Sequence, residues 1–301
     1  MYDVAIIGGG PAGLAAALAL VRSRKRVVLF DCWPPRNAAA TEIRGFVTQD
    51  GTPPAEMRQI ARDQLAAYPS FALRDDTAVR SVDGTCGRFE VAFDGGSIGA
   101  RRVLLCVGLV DVLPTLPGYR ELWGTSVFQC PHCHAWEVRD RAFGYLAPDE
   151  HCADWSLLLR AWTRDLIVFT NGNFEPPPAL VAELETAHVR LEQRKLAGFR
   201  IAAGKLAEVR LADGTEVVRD VMFVRPPQRQ TELVAGLGLA LVSRDLVKTS
   251  DSFETSIRGI YAAGDLQTHT HGALVAAANG AFAAHALDEE LTRELVLAGA
   301  L

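Results

Sequence analysis

The stretch YDVAIIGGGPAGLAAALALVRSRKRVVLFD, residues 2–31, decides the fold. Val4 to Ile7 is a short apolar run suited to a buried parallel strand. It leads straight into Gly8, Gly10 and Gly13, which fit G-x-G-x-x-G. A helix rich in Ala and Leu follows, then a second apolar strand, Val27 to Phe30. Asp31 closes that strand 18 residues beyond Gly13, near the usual distance for an acid that grips a ribose hydroxyl. Gly8 permits the tight turn, Gly10 lets backbone N–H groups approach a pyrophosphate, and Gly13 lets helix and strand pack closely. A glycine-rich turn without a ligand is the alternative for a lone motif. The complete unit of strand, turn, helix, strand and acid argues against it. An acid at position 31 favours FAD or NAD over NADP.

With 301 residues the chain has room for one large domain or two ordinary ones. Its 49% hydrophobic and 22% charged residues are those of a soluble globular protein. A net charge of -5 offers no electrostatic reason to expect nucleic acid or an anionic membrane as partner. No apolar run is long enough to cross a bilayer. The strand pattern begins at Tyr2 and leaves no room for a signal peptide, so the expected location is cytoplasmic. There are no internal repeats, low-complexity tracts or nucleic-acid motifs.

Cys32, Cys86, Cys106 and Cys152 are scattered singly and read as small buried or neutral residues. Only Cys130 and Cys133, in VFQCPHCHAWE, form a pair. CxxC can be half of a zinc site, but His132 and His134 are interleaved too closely to complete a tetrahedron easily, and no metal is expected. The redox reading is that CxxC closes a small disulfide ring, with neighbouring histidines or a helix N-terminus favouring the thiolate. His134 suits removal of a thiol proton near neutral pH; its alternative is a polar residue capping a helix. For His132, tuning of the thiols and plain exposure stand equal.

Two later stretches add to the first. IRGIYAAGDLQTHTHGALVAAANGAFAAHAL, residues 257–287, reads as a short strand, a turn with Gly264 and Asp265, and an Ala-rich helix. It resembles the second FAD fingerprint of the pyridine-nucleotide-disulfide-oxidoreductase-like flavoproteins, which implies that Asp265 contacts the ribityl and phosphate part of FAD. RRVLLCVGLVDVLPTLPG, residues 101–118, resembles the strand and turn that close the first FAD segment, with Cys106-Val107-Gly108 where relatives carry Ala-Thr-Gly. The order of FAD fingerprint, closing strand, CxxC, inserted domain and second fingerprint resembles the low-molecular-weight thioredoxin reductases over essentially the whole chain.

That resemblance implies an α/β fold of two Rossmann-like, three-layer ββα domains. FAD is bound by residues 1–112 and 223–301, and an inserted NADPH-domain-like domain, residues 113–222, carries the CxxC. It implies that Cys133 faces the isoalloxazine while Cys130 is the interchange thiol, and that the protein is a homodimer. Where thioredoxin reductases usually have Asp after the second Cys, this chain has His134. CxxCH followed by Ala135, Trp136 and Glu137 is more similar to the dithiol oxidases of gliotoxin and holomycin type. RNAAATEIRGFVTQDG, residues 36–51, resembles that group's stretch near the flavin. The implied FAD contacts are Gly8, Gly10, Pro11, Ala12, Gly13, Asp31, Arg36, Asn37, Gly45, Asp50, Gly108, Gly264, Asp265, Gly272 and Ala273. His269 and His271 lie in the same turn, as groups that polarise O2 or orient substrate, or as ordinary loop residues.

In the inserted domain, Phe143 to Leu146 reads as a strand, Trp155 to Trp162 as a helix and Leu166 to Thr170 as another strand. Pro176, Pro177 and Pro178 precede a further helix. Val224 to Thr231 reads as the return hinge. The loop between the first strand and helix is APDEHCADW, where relatives carry a glycine-rich turn. Pro148 has no N–H to offer a phosphate, and Asp149 and Glu150 would set negative charge against one. Thr170 to Asn173 replaces the usual Arg-bearing segment. NADPH is therefore doubtful, the alternative being that it binds through an unusual loop. The expected reaction is oxidation of a small dithiol or thioredoxin-like substrate through CxxC to FAD and then O2. A reductase using NADPH or another donor such as ferredoxin, and a flavin redox sensor without turnover, are the alternatives.

Overall fold

A computed structural model describes residues 1–153, 155–242 and 245–300, with only the backbone of Cys152 and Ala153. The sequence reading of the Cys152 side chain, and Asp154 of the APDEHCADW loop, lie outside the described residues. The chain divides into two compact units, each an α/β assembly around its own sheet, mixed in the first unit and parallel in the second.

The first unit comprises Met1–Ala38, Gly45–Val110 and Gln228–Leu301. Strand β1 (Tyr2–Ile7) leads through the glycine turn into α1 (Pro11–Arg22), and β2 (Val27–Phe30) follows. Helix α2 (Pro54–Ala66) and strand β3 (Phe71–Arg74) continue the parallel order. Then β4 (Val79–Thr85), β5 (Arg88–Phe93) and β6 (Gly96–Leu105) form an antiparallel meander. Among the described residues the sheet has seven strands in the order β3-β2-β1-β6-β5-β4, with Ile260–Ala262 pairing parallel to β6. Strand β6 serves two layers: Gly96–Ala100 pairs with β5, and Val103–Leu105 pairs with Ile260–Ala262.

Side-chain alternation makes the layers. Val4, Ile6, Leu29 and Leu104 pack against α1 and the long helix Ala273–Leu297, while Ala5, Ile7, Val28, Phe30 and Leu105 pack with Val82, Phe89 and Val91 of the meander. Strands buried on both faces read as continuous apolar runs, which is why these were visible as sequence.

The second unit comprises Asp111–Pro227 and, separately, Ala39–Arg44. Its parallel sheet runs in the order Arg190–Glu192, Leu166–Phe169, Phe143–Leu146, Val221–Val224, Val127–Phe128. Phe143, Tyr145, Val168 and Phe223 face the helical layer with Leu159, Leu180 and Leu184. Leu146, Ile167, Phe169 and Met222 face an antiparallel sheet of Leu196–Ala202, Lys205–Leu211 and Glu216–Val218. Pro178 opens the helix Pro178–Thr186 at its first turn, where a missing N–H costs nothing.

Two local expectations change. The helix expected over Trp155 to Trp162 ends at Leu159, because the amides of Ala161 and Trp162 turn back to the carbonyls of Leu158 and Leu159 three residues earlier. The strand expected to Thr170 ends at Phe169, because the Thr170 hydroxyl accepts the amide of Gly172 in a turn. The segment Ala39–Arg44, read from sequence as part of the first FAD stretch, clusters instead with the second unit.

Candidate functional site

The glycine turn of the first unit is built by close backbone approach. Gly8 has φ of 110°, and a Cβ there would lie 2.3 Å from the Cys106 carbonyl oxygen. A Cβ on Gly13 would lie 1.9 Å from the Gly8 carbonyl oxygen. At Gly10, by contrast, a Cβ would meet nothing within 4 Å, so the turn is open on the side where a helix N-terminus offers unpaired amides. Gly10 caps α1, with Pro11 and Ala12 in its first turn and no side chain on those amides. These features fit the pyrophosphate of a dinucleotide.

Asp31 is buried and accepts the Gly9 amide at 3.0 Å. Its other oxygen accepts Arg62 at 2.8 Å and also pairs with Arg58, both from α2. The acid read from sequence is thus present but already carries two guanidinium partners. Nothing in a linear reading marked Arg58 and Arg62, because their spacing also suits an ordinary solvated helix face.

Several other candidates gather in the same unit. Arg36 donates to Asp265 at 2.7 Å and to Nδ1 of His271 at 3.2 Å. Since Arg has no acceptor, His271 Nδ1 is unprotonated in this contact. Gly45 donates to Asp50 at 2.8 Å, and Asn37 follows Arg36, half-buried. Gly108 and Gly264 have φ of 64° and 79°. Gly272 caps the helix that starts at Ala273. His269 is exposed and His271 half-buried.

The second unit holds the cysteines. Cys130 and Cys133 form a disulfide with Cα atoms 5.3 Å apart. Cys130 caps the short helix Pro131–His134, and its Sγ accepts the Cys133 amide at 3.1 Å. Ala135, directly after, is buried among Phe128, Phe143 and Leu159, which pins the motif to the helical layer. His134 stacks on Phe128 with ring centroids 4.5 Å apart, and its Nδ1 lies 3.4 Å from the Cys130 carbonyl oxygen. That carbonyl can only accept, so Nδ1 carries the proton and Nε2 is the basic nitrogen. Burial pushes the His134 pKa below its ordinary value. The Cys130 carbonyl and the charge of Glu137 pull up, and Arg44 pushes down. His132 is exposed, its ring edge-on to Trp162 at 5.7 Å.

Arg44 reaches this motif from far away in sequence. A Cβ on Gly124, where φ is 83°, would lie 2.4 Å from the Ala39 carbonyl oxygen, and Ile43 is buried. Arg44 pairs with Glu137 through Nε at 3.1 Å and with Glu42 through another nitrogen. Among the described residues no cluster of three His, Cys, Asp or Glu side chains could hold a metal ion. The lone cysteines are poor thiolates: burial pushes the pKa up at Cys32, Cys86 and, most strongly, Cys106.

At the carboxyl ends of the second parallel sheet, where such folds place ligands, Phe143–Leu146 passes through Ala147, Pro148 and Asp149 to a helix at Glu150. Trp155 packs on Tyr145 at 5.3 Å, and the Arg225 guanidinium lies 5.3 Å from the Trp155 ring centroid. Asn171 is committed to the backbone, accepting the Leu196 amide at 2.7 Å.

A dinucleotide turn in one Rossmann unit and a paired CxxC in another define a disulfide oxidoreductase of two-domain architecture. The chain belongs to the pyridine nucleotide-disulphide oxidoreductase family, whose sequence pattern matches residues 2–152. Membership makes it an oxidoreductase acting on disulfides, and implies a flavin cofactor and pyridine-nucleotide binding. It is 32% identical to a thioredoxin reductase, tcpT, of Claviceps purpurea, over 98% of this chain and 95% of that one. Among solved structures it resembles HlmI, with a TM-score of 0.92, 33% identity, and coverage of 99% and 95%. It also resembles an oxidoreductase from Agrobacterium tumefaciens, with a TM-score of 0.90, 34% identity, and coverage of 97% and 99%.

Proposed function

We propose that the protein is an FAD-dependent dithiol oxidase that uses Cys130 and Cys133 without NADPH. The observation that carries the direction of flow is the loop after Phe143–Leu146. Pro148 offers no amide, Asp149 and Glu150 oppose a phosphate, and Trp155 packs against Tyr145 and Arg225. FAD would be held by the Gly8–Gly13 turn, Asp31, Arg36, Asp265 and the amides at Gly272 and Ala273. The chemistry it supplies when bound is acceptance of the electron pair from the reduced cysteines and its delivery to O2 as peroxide.

The protein's own residues carry the thiol chemistry. Nε2 of His134 takes the proton of one substrate thiol, and the thiolate attacks Cys130 Sγ. The Cys130–Cys133 bond breaks, a substrate–Cys130 disulfide forms, and Cys133 leaves as thiolate. The second substrate thiol loses its proton to solvent, attacks the substrate sulfur of the mixed disulfide and expels Cys130, whose thiolate the Cys133 amide stabilises. The substrate leaves as a disulfide, two electrons having passed to the cysteine pair. Neutral His134 is what the first step needs, and its buried ring supports that state.

Anaerobic stopped-flow mixing tests the reading. A small dithiol such as dithiothreitol is expected to bleach the flavin band, and NADPH is not. Prompt bleaching by NADPH would establish the second reading, a disulfide reductase, which similarity to the Claviceps thioredoxin reductase favours. Aerobically, sustained dithiol-dependent oxygen uptake is expected, and its absence despite anaerobic bleaching would leave a redox sensor. We further propose a homodimer, supported by exposure of Leu274 (42%) and Phe282 (62%) on the C-terminal helix. Sedimentation equilibrium is expected to return twice the chain mass.

A further inference from the structure

The strap Ala39–Arg44 is fastened to the disulfide unit at two points. Ala39 closes against Gly124, and Arg44 pairs with Glu137. A segment with no catalytic group of its own thereby delivers one cation to the turn that follows CxxCH. Glu137 lies three residues beyond His134, and Arg44 spans Glu137 and Glu42. We propose that Arg44 is a positioning residue for the thiol chemistry: by holding the Glu137 carboxylate it sets how readily His134 accepts the substrate proton. The inference deepens the oxidase reading and rests on it for the role of His134.

The physical reasoning is charge screening at a partly buried ring. Glu137 and Arg44 are the charged groups that act on His134, while Phe128, packed on the ring face, contributes none. A bare carboxylate near an imidazole stabilises imidazolium, and a base that is already protonated cannot take a thiol proton. A cation bound to that carboxylate cancels much of its field and adds its own repulsion. Arg44 reaches Glu137 through Nε alone while another nitrogen pairs with Glu42, so the cancellation comes from its charge and asks for no bidentate fork.

The test uses the full-length holoenzyme with Arg44→Gln, Glu137→Gln, the double variant and Arg44→Lys. The titration of His134 is followed by NMR of its ring proton, assigned by its loss in His134→Asn. The pH profile of kcat/KM for dithiothreitol oxidation is recorded beside it. Arg44→Gln is expected to raise the His134 midpoint and move the acid limb upward, by about half a pH unit to one unit. Glu137→Gln is expected to move both downward. The double variant and Arg44→Lys are expected near the wild type. Should Arg44→Gln fold poorly, Glu137→Gln and Arg44→Lys carry the same comparison. Unmoved midpoints, or a loss of rate equal at every pH, would overturn the proposal by reducing Arg44 to a structural tie. If wild type shows no dithiol-driven turnover, the oxidase reading fails, and the NMR midpoints alone then decide for or against the Arg44–Glu137 coupling.

Discussion

At the scale of single residues, His134 combines a stacked, partly buried ring with a fixed tautomer, and both properties have measurable consequences. Its pKa in the folded protein is depressed, chiefly by burial. The unfolded chain therefore binds a proton that the folded one does not, in the window between the depressed value and about 6.5. Stability is expected to fall as pH drops through that window, and the slope should flatten in His134→Asn, as urea midpoints at pH 5 and pH 7 would reveal. The same variant should slow dithiol oxidation by about 10²- to 10⁴-fold near neutral pH, the range for a lost general base. Cys130→Ser and Cys133→Ser separate the roles of the two sulfurs. Each is expected to abolish dithiol-dependent oxygen uptake, by at least about 10³-fold, since neither leaves a disulfide to exchange. Only Cys133→Ser should retain an interchange thiol that traps an activated disulfide, detectable by mass as a stable adduct. Trapping by Cys130→Ser instead would reverse the assignment.

At the scale of elements, the turn between β1 and α1 and the helix α2 act on the same carboxylate from two sides. Gly13→Ala places a methyl group 1.9 Å from the Gly8 carbonyl oxygen, so the turn must open. FAD affinity is expected to fall at least about tenfold, or ~1.4 kcal/mol, by equilibrium dialysis of the flavin. A variant that retains FAD at wild-type affinity would show that the turn does not hold the pyrophosphate. On the other side, Arg58→Met leaves the buried Asp31 carboxylate with Arg62 and the Gly9 amide alone. Stability is expected to drop by up to about 3 kcal/mol in urea unfolding. The strand-turn-helix itself was legible because its signals are local: Val4 to Ile7, three glycines and Asp31 lie within one short stretch, and Gly8 and Gly13 answer close backbone approaches. Arg58 and Arg62 were not legible, because their meaning comes from where α2 packs. The grouping of Ala39–Arg44 with the second unit was not legible for the same reason. The neighbouring Arg36 and Asn37 belong to the first unit, and only tertiary structure shows that Ile43 and Arg44 leave it. The CxxCH motif was readable as chemistry, whereas the stacking of His134 on Phe128, from an edge strand, was not.

At the scale of the whole molecule, the two Rossmann units differ in the loops at the ends of their strands. In the first, glycine backbone is left open at Gly10 and the C-terminal helix begins at Gly272 without a side-chain cap, so amides are available to a cofactor. In the second, the equivalent end of the sheet carries Pro148, two acids and an aromatic side chain packed against Tyr145 and Arg225. The difference is in loop chemistry and leaves the sheet alone: Phe143, Tyr145 and Phe223 pack as densely as Val4, Ile6 and Leu29, each side chain at most 1% exposed. On the oxidase reading, the fold keeps this domain for its packing while its nucleotide chemistry lapses, which is consistent with function residing in sites placed on a fold. One substitution set tests how far the lapse has gone. Pro148→Gly with Asp149→Gly and Glu150→Ala would restore a permissive turn and remove two negative charges. It would supply neither a basic partner for a 2′-phosphate nor space at Trp155. NADPH is therefore expected still to leave the flavin band unbleached in the triple variant, while dithiothreitol bleaches it at the wild-type rate. Bleaching by NADPH in the triple variant alone would localise the loss to the loop, and would mean that the Trp155–Arg225 packing yields to a nucleotide.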